Sequence, residues 1–523
     1  MGAERYKQLE NEREIFLQRG RSCSKLTLPM VVRDASDDSN TSYQTPYQSV
    51  GARGVTNLAS NMLLSLFPAG TPFFRLLVSD QDFEQFGEDA EHIKGEVEES
   101  LGKIEIQILE EIESKNLRST IFEAVKNLLI SGNTLLYVQP DGNIRNYSLE
   151  DYVTHRDVEG SITDITIKET ISQTVAKSLN IDIELPSDMN GGGLASDKDI
   201  CLYTCIELQD DGTYYAYQEV EGKILKDTKS YFSAEDLPWL PLRLSRNTGE
   251  SYGRSYVETV AGDLKSLEAL SKSVVESAAI AAKTVFFVDP ATTTRLRDVA
   301  KAENGDVISG KSTDVSVLQS QKGSDLSIVM QAIQQYEQRL SYAFNLLEAT
   351  IPSPGAKTAT EINAIVNSLE KVLAGAYTML ASEMMAPLVH LIITRLQDEE
   401  KISFIPPEVK LIISTGLSAL GRNTDLERMS TFFQLAMGAN PEVASGMIDW
   451  EKAMRKLQDS VGVDILKTKD QLMAEQQAQM QMMQQQAQQQ EQSQGMAQAQ
   501  ELANLAKSQQ ELTPAPEEGE PQQ

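Results

Sequence analysis

Cysteine, histidine, tryptophan and basic charge are all scarce in this chain, and each scarcity removes a class of function. Three cysteines in 523 residues, Cys23, Cys201 and Cys205, are too few and too scattered for a disulfide framework. A reducing compartment is the simple expectation. His92, His155 and His390 lie far apart and none has a second ligand at metal spacing, so no metal and no cofactor is expected. The chain has no Gly-x-Ser-x-Gly elbow and no Cys and His brought together by periodicity, so catalysis is unsupported. Basic residues number 47 against 76 acidic ones, a net charge of −29. That balance argues against gripping nucleic acid by counterion release, but not against a surface that DNA moves past. The N-terminal Met-Gly-Ala-Glu-Arg-Tyr lacks an apolar signal core, and Tyr6 stands where a myristoylation motif wants Ser or Thr. Secretion and lipidation are therefore not expected. One apolar run, 372–393, raises a membrane question, but Glu383, Pro387 and His390 interrupt it, and a packed helix is expected instead.

What is present is helical periodicity, in a chain too long for one core. Val257, Val260, Leu264, Leu267, Val274, Ala278 and Ala281 recur at three- and four-residue steps, with Ser271 in the polar register. Leu326, Val329, Ile333, Tyr336, Leu340, Ala343 and Leu347 repeat the pattern, preceded by Ser324 and Asp325 as an N-cap and first-turn acid. At about 1.5 Å per residue these arms would each run roughly 35 to 40 Å, long enough for a stalk. Between them, 284–288, 307–308 and 315–318 read as strands and 291–302 as a short helix. An ordinary helical hairpin with a decorated tip fits the periodicity equally well.

Elsewhere the chain reads as mixed. Helices are expected over 1–20, 43–66 and the acidic 83–129, the last ended by Gly132. Residues 71–78 read as a strand. Strands at 135–139, 144–147, 152–156 and 162–169, with turns at Asp141-Gly142 and Glu159-Gly160, read as one antiparallel sheet. The pair 201–208 and 214–220 turns at Asp211-Gly212, and the sheet is expected to continue to Leu244. A helix of about 35 residues begins after Thr358 and Glu361, kinked at Pro387. Then come a strand over 409–414 and helix over 424–458. From about Gln471 the chain is rich in Gln, Met and Ala, helical if packed against copies of itself, and its last dozen residues are expected to be disordered.

Gly305 to Ser312, Gly-Asp-Val-Ile-Ser-Gly-Lys-Ser, matches a phosphate loop letter for letter, which raises a nucleotide-driven DNA motor as the rival function. In such a loop Lys311 would meet phosphate and Ser312 magnesium. The context disagrees: residues 315–318 look extended rather than helical, and the acidic strand at 285–289 precedes the loop too closely for a parallel sheet.

Several runs together resemble the head-to-tail connector, or portal, family of short-tailed phages. They are Ser49 to Leu76 (beginning Ser-Val-Gly-Ala-Arg-Gly-Val-Thr-Asn-Leu), Gly132 to Tyr137 (Gly-Asn-Thr-Leu-Leu-Tyr) and Tyr147 to Gly160. Tyr252 to Glu268, with Tyr-Gly-Arg-Ser-Tyr-Val-Glu, is the most specific, and Thr358 to Ile362 and Thr415 to Arg422 extend the series in order. The resemblance implies an α+β portal fold: an α/β wing over 1–256, stem helices at 257–283 and 324–348, and a small α/β clip at 284–323. It further implies a tunnel loop at 349–360, a kinked helix and wing return over 361–420, a helical crown over 421–470 and a Gln-rich tail over 471–523. By the same resemblance the protein is not an enzyme and forms a ring of about twelve copies around double-stranded DNA at one capsid vertex. Its implied partners are the terminase large subunit, a tail adaptor, and the major capsid and scaffolding proteins, with no membrane. Ser353 and Lys357 would face DNA from the tunnel loop. Arg295, Arg297 and Lys311 would meet the motor or tail from the clip. A solvated surface cation is the ordinary alternative for each.

Overall fold

The computed structural model describes residues 2–34, 36–37, 40–68, 73–78, 90–171, 200–281, 285–289, 294–309, 311–318, 323–346, 373, 375–402, 405, 409–413, 431–435, 438, 448 and 454. The chain divides into two compact units, 1–421 and 422–523. In the second, 431–435 is helical and the rings of Phe432 and Phe433 meet edge to face at 5.9 Å.

The first unit opens with α1 (Gly2–Leu26), whose buried Tyr6, Leu9, Arg13, Leu17 and Gly20 recur at helical steps. Helix α2 (Val50–Leu66) begins later than the expected 43, and 43–49 is not helical. Gln48 explains the late start: its side chain accepts the Gly51 N–H and donates to the Leu26 carbonyl, closing a turn ahead of the helix. Strand β1 (Phe74–Val78) comes next. The acidic stretch forms two helices rather than one, α3 (Ala90–Ser114) and α4 (Leu117–Ser131). Asn116 takes a left-handed conformation between them, φ 56°, and ends the first ladder. Gly132, φ 81°, closes α4 and donates to the Leu128 carbonyl.

The sheet region comprises β2 (Asn133–Val138), β3 (Ile144–Tyr147), β4 (Tyr152–Arg156), β5 (Ile162–Ile171), β6 (Ile200–Leu208), β7 (Tyr214–Val220), β8 (Lys223–Ile224), β9 (Ser230–Phe232) and β10 (Trp239–Arg243). These strands form two antiparallel sheets, not one. The first runs β10-β2-β3 and the second β4-β5-β6-β7, with β8 and β9 both on the far side of β7. The break falls between β3 and β4. There Ser148 and Asp151 close a side-chain turn over Leu149, which is wholly buried and turns the chain inward instead of across to a neighbouring strand. The last strand, β10, returns to pair with β2, Trp239 opposite Tyr137 with their rings stacked at 4.9 Å.

After α5 (Tyr256–Ala281) come β11 (Val285–Val288), the short α6 (Leu296–Lys301), β12 (Val315–Leu318) and α7 (Gly323–Ala343). The expected helix at 291–302 is thus shortened, and 307–308 is not a strand. Val307 is 99% exposed and pairs with no described strand. Helix α7 starts one residue before Ser324, which therefore lies inside the helix.

Across 375–398 the chain stays helical, with a π turn at Ala381–Met385 leading into α8 (Ala386–Asp398). Pro387 has no N–H for the carbonyl four residues back, that of Glu383, and the wider turn falls at that place. Although apolar and long enough for a membrane span, this helix buries Leu380, Met384, Met385, Leu388 and Val389 completely in the protein core. Strand β13 (Val409–Ile413) pairs antiparallel with β1.

The π turn also aims Glu383 at two buried arginines, Arg243 of β10 and Arg156 of β4. Burial lowers Arg156 to about 10, and Glu383 opposes that shift. Arg156 also donates to the carbonyls of Gly160 and Pro241. Because Arg243 and Arg156 are 3% and 8% exposed, losing their carboxylate leaves positive charge stranded. Glu383→Gln is expected to cost about 3 to 5 kcal/mol of stability, to be checked by chemical denaturation.

Candidate functional site: a helical hairpin, its root and its tip

Helices α5 and α7 pack against each other and carry β11, α6 and β12 at one end. Arg339 of α7 reaches Asp263 of α5 at 2.9 Å, and Tyr256 donates its hydroxyl to the Ala343 carbonyl at 2.6 Å, so the first turn of α5 is fastened to the last turn of α7. Ser255 caps α5 by accepting the Glu258 N–H at 2.9 Å.

The root of this hairpin joins runs that are distant in sequence. Asn133 and Gly253 exchange hydrogen bonds, the Gly253 N–H to Asn133 Oδ1 at 2.7 Å and Asn133 Nδ2 to the Gly253 carbonyl at 3.0 Å. A Cβ on Gly132 would stand 2.5 Å from the Arg254 carbonyl carbon, so the approach itself requires glycine there. The Thr154 N–H donates to the buried Tyr252 hydroxyl at 3.0 Å, and burial raises that phenol's pKa. From α2, a Cβ on Gly54 would lie 2.4 Å from the Phe344 ring. Glu268 of α5 accepts the backbone N–H groups of Tyr47 and Gln48. Four of the runs that carry the family resemblance, around 49–76, 132–137, 147–160 and 252–268, therefore meet at one place.

Away from the root, burial fades along both helices. Val257, Leu264 and Leu267 of α5 and Leu340 of α7 are wholly buried, as is Phe344 just beyond it. Further out, Val275 is 52% exposed, Ile280 65%, Ile328 67% and Met330 45%.

At the tip β11 and β12 pair antiparallel, Val285 opposite Leu318 and Val288 opposite Val315. The buried carboxylate of Asp314 accepts the Thr294 hydroxyl at 2.8 Å, and the Asp314 carbonyl accepts the Asp289 N–H at 3.1 Å. Asp314 is thus the tip's fastener, and no sequence motif marked it. Of the expected site residues, Arg295, Arg297 and Lys311 are all at this tip, exposed, with no ion pair to any described residue. Ser353 and Lys357 lie outside the described residues.

The phosphate-loop match does not have phosphate-loop geometry. Gly305 adopts φ 100° in a turn, and Ser312 opens a three-residue 3-10 turn that runs into β12. No helix N-terminus comes after Lys311 to supply converging N–H groups. His155 and His390 each face a single carboxylate, Glu12 at 3.5 Å and Asp236 at 3.1 Å.

The family model described as bacteriophage head to tail connecting protein matches residues 2–465. The chain belongs to this connector family. The connector is similar to the portal protein of Escherichia phage T7, 37% identical over 493 residues that cover 91% of this chain and 90% of the relative. It is also similar to the portal protein of Enterobacteria phage T3, 34% identical over 90% of this chain and 88% of that one. Among solved structures, the neck of an empty gene transfer agent particle covers 73% of the connector and 86% of its own chain at 12% identity, with a TM-score of 0.36.

The geometry around Lys311 implies that Lys311→Ala leaves ATP binding by the connector unchanged, whatever its level, in a fluorescent-nucleotide titration. Asp314→Ala is expected to speed amide exchange at least about tenfold across β11 and β12 without altering exchange in β2 or β10.

Proposed function

We propose that this connector is a portal: a ring of identical copies that stands at one capsid vertex, surrounds a channel for double-stranded DNA, and conducts the genome inward during packaging and outward on ejection. The observation that carries the ring is the exposed apolar surface on the outer halves of α5 and α7. A soluble protein rarely leaves Val275, Ile280, Leu326, Ile328 and Met330 open on one pair of helices unless another surface covers them. Identical hairpins standing side by side provide that surface, and a head-to-tail contact repeated around an axis closes into a ring.

Within that reading, residues 1–256 form the wing, the two helices the stem, 284–323 the clip, 349–360 the tunnel loop, 361–420 the return to the wing, and 421–470 the crown. The clip is the docking face for the terminase large subunit and later a tail adaptor, with Arg295, Arg297 and Lys311 as contacts. Ser353 and Lys357 face DNA. The net charge of −29 per copy keeps phosphate from adhering to the channel. The protein assembles in the host cytoplasm with capsid and scaffolding proteins, ends in the virion, and hydrolyses no nucleotide itself.

Native mass spectrometry with negative-stain imaging tests the reading directly. Closed rings of about twelve copies with a central hole are expected, and stable dimers or trimers without a hole would overturn it. Ile328→Asp with Val275→Asp should leave the far-ultraviolet circular dichroism of the subunit intact while shifting the mass distribution from rings to monomers.

A further inference from the structure

The tip carries two features that a single chain leaves unused. The first is the segment 306–309. Val307 and Ile308 have the composition of a strand, yet the segment pairs with no described strand and Val307 is 99% exposed. It leaves a defined bend rather than a loose one. Gly305 sits at φ 100°, the Glu303 N–H donates to Asp306 Oδ2 at 2.7 Å, and the Asp306 N–H returns to the Glu303 carbonyl at 3.1 Å.

The second feature is the sheet beside it. Strands β11 and β12 form a sheet of two, with no further strand on either side among the described residues, and Phe287 is 54% exposed. Two strands alone are marginal in water, and an open edge is a template for another chain. Charge sets the partner. Glu303 and Asp306 make the bend acidic, whereas the exposed Arg295, Arg297 and Lys301 make α6 basic, and no ion pair links the two groups within the chain among the described residues. An acidic element and a basic element on different parts of one tip are complementary head to tail, not face to face, which is the contact a ring repeats.

Resting on the ring reading, we propose that residues 306–309 of one copy add as a strand to the β11–β12 sheet of the next, with Glu303 and Asp306 against that neighbour's Arg295 and Arg297. The glycine loop that imitates a phosphate site is then an arm offered to the next subunit. Gly305 supplies the bend, and Val307 and Ile308 supply backbone N–H and C=O groups to the neighbour's edge.

Hydrogen exchange on full-length rings, compared with the same protein dispersed to monomers, tests this. The amides of 307 and 308 are expected to exchange at least about tenfold more slowly in rings. Val307→Pro or Ile308→Pro, whichever residue's N–H faces the neighbour, should lower the denaturant concentration at which rings dissociate, whereas Val307→Ala should shift it far less. Since Val307 is exposed in the single chain, these changes leave the subunit fold intact, as circular dichroism would verify. Reversing the bend with Glu303→Arg and Asp306→Arg should weaken rings, and adding Arg295→Glu with Arg297→Glu should restore them. Intact rings with unprotected 307 and 308 and no charge-swap rescue would overturn the strand addition while leaving the ring standing. Absence of rings altogether would overturn the ring reading and this inference with it.

Discussion

A hairpin longer than the body that supports it is the constraint on which the rest of this structure depends. Helix α5 has 26 residues and α7 has 21, and full burial is confined to their inner ends. Leverage on such a hairpin is resisted at its root. That is where Gly132 approaches Arg254, Asn133 clasps Gly253, Gly54 admits Phe344 and Tyr256 ties the two helices together. The small residues there are small because backbone passes backbone, and the polar ones are satisfied by one another rather than by water.

The same constraint accounts for the uneven treatment of apolar surface. Around α4 the core is dense, with Ile121, Ala124, Val125, Leu128, Leu129 and Ile130 wholly buried against both helices and strands. The outer hairpin has comparable residue types and no such cover. Hydrophobic burial is worth about 25 cal/mol per Å² whether the covering surface is on the same chain or another. A family of connectors built from repeated subunits therefore has a physical reason to leave that stabilisation to the assembly. Charge is treated in a similarly local way. A strongly acidic chain nevertheless keeps two arginines buried around Glu383, because a carboxylate placed by a π turn satisfies them where solvent cannot.

Local features were legible in the sequence. The turns at Asp141-Gly142 and Asp211-Gly212 have positive-φ glycines, and the strands they join pair as their alternation suggests. Both long helices track their three- and four-residue stripes, and Gly132 ends α4 because a left-handed cap needs no Cβ. The exposed cations at the tip were visible as residue types, and the misfit of the phosphate-like loop could be read from the extended pattern after Ser312. Asp314 could not be picked out, since one acid among many carries no signal until Thr294 is seen to donate to it.

Composition, periodicity and turn chemistry by themselves determined which stretches would be helix or strand, because those preferences act over a few residues of backbone. Partners were decided only by the tertiary structure. The division into two sheets, the pairing of β10 with β2 and of β1 with β13, and the convergence of Arg156, Arg243 and Glu383 all join residues far apart in the chain. Val307 and Ile308 show the converse: their preference for a strand is local, but a strand needs an edge to pair with, and within the described residues of one chain no edge receives them.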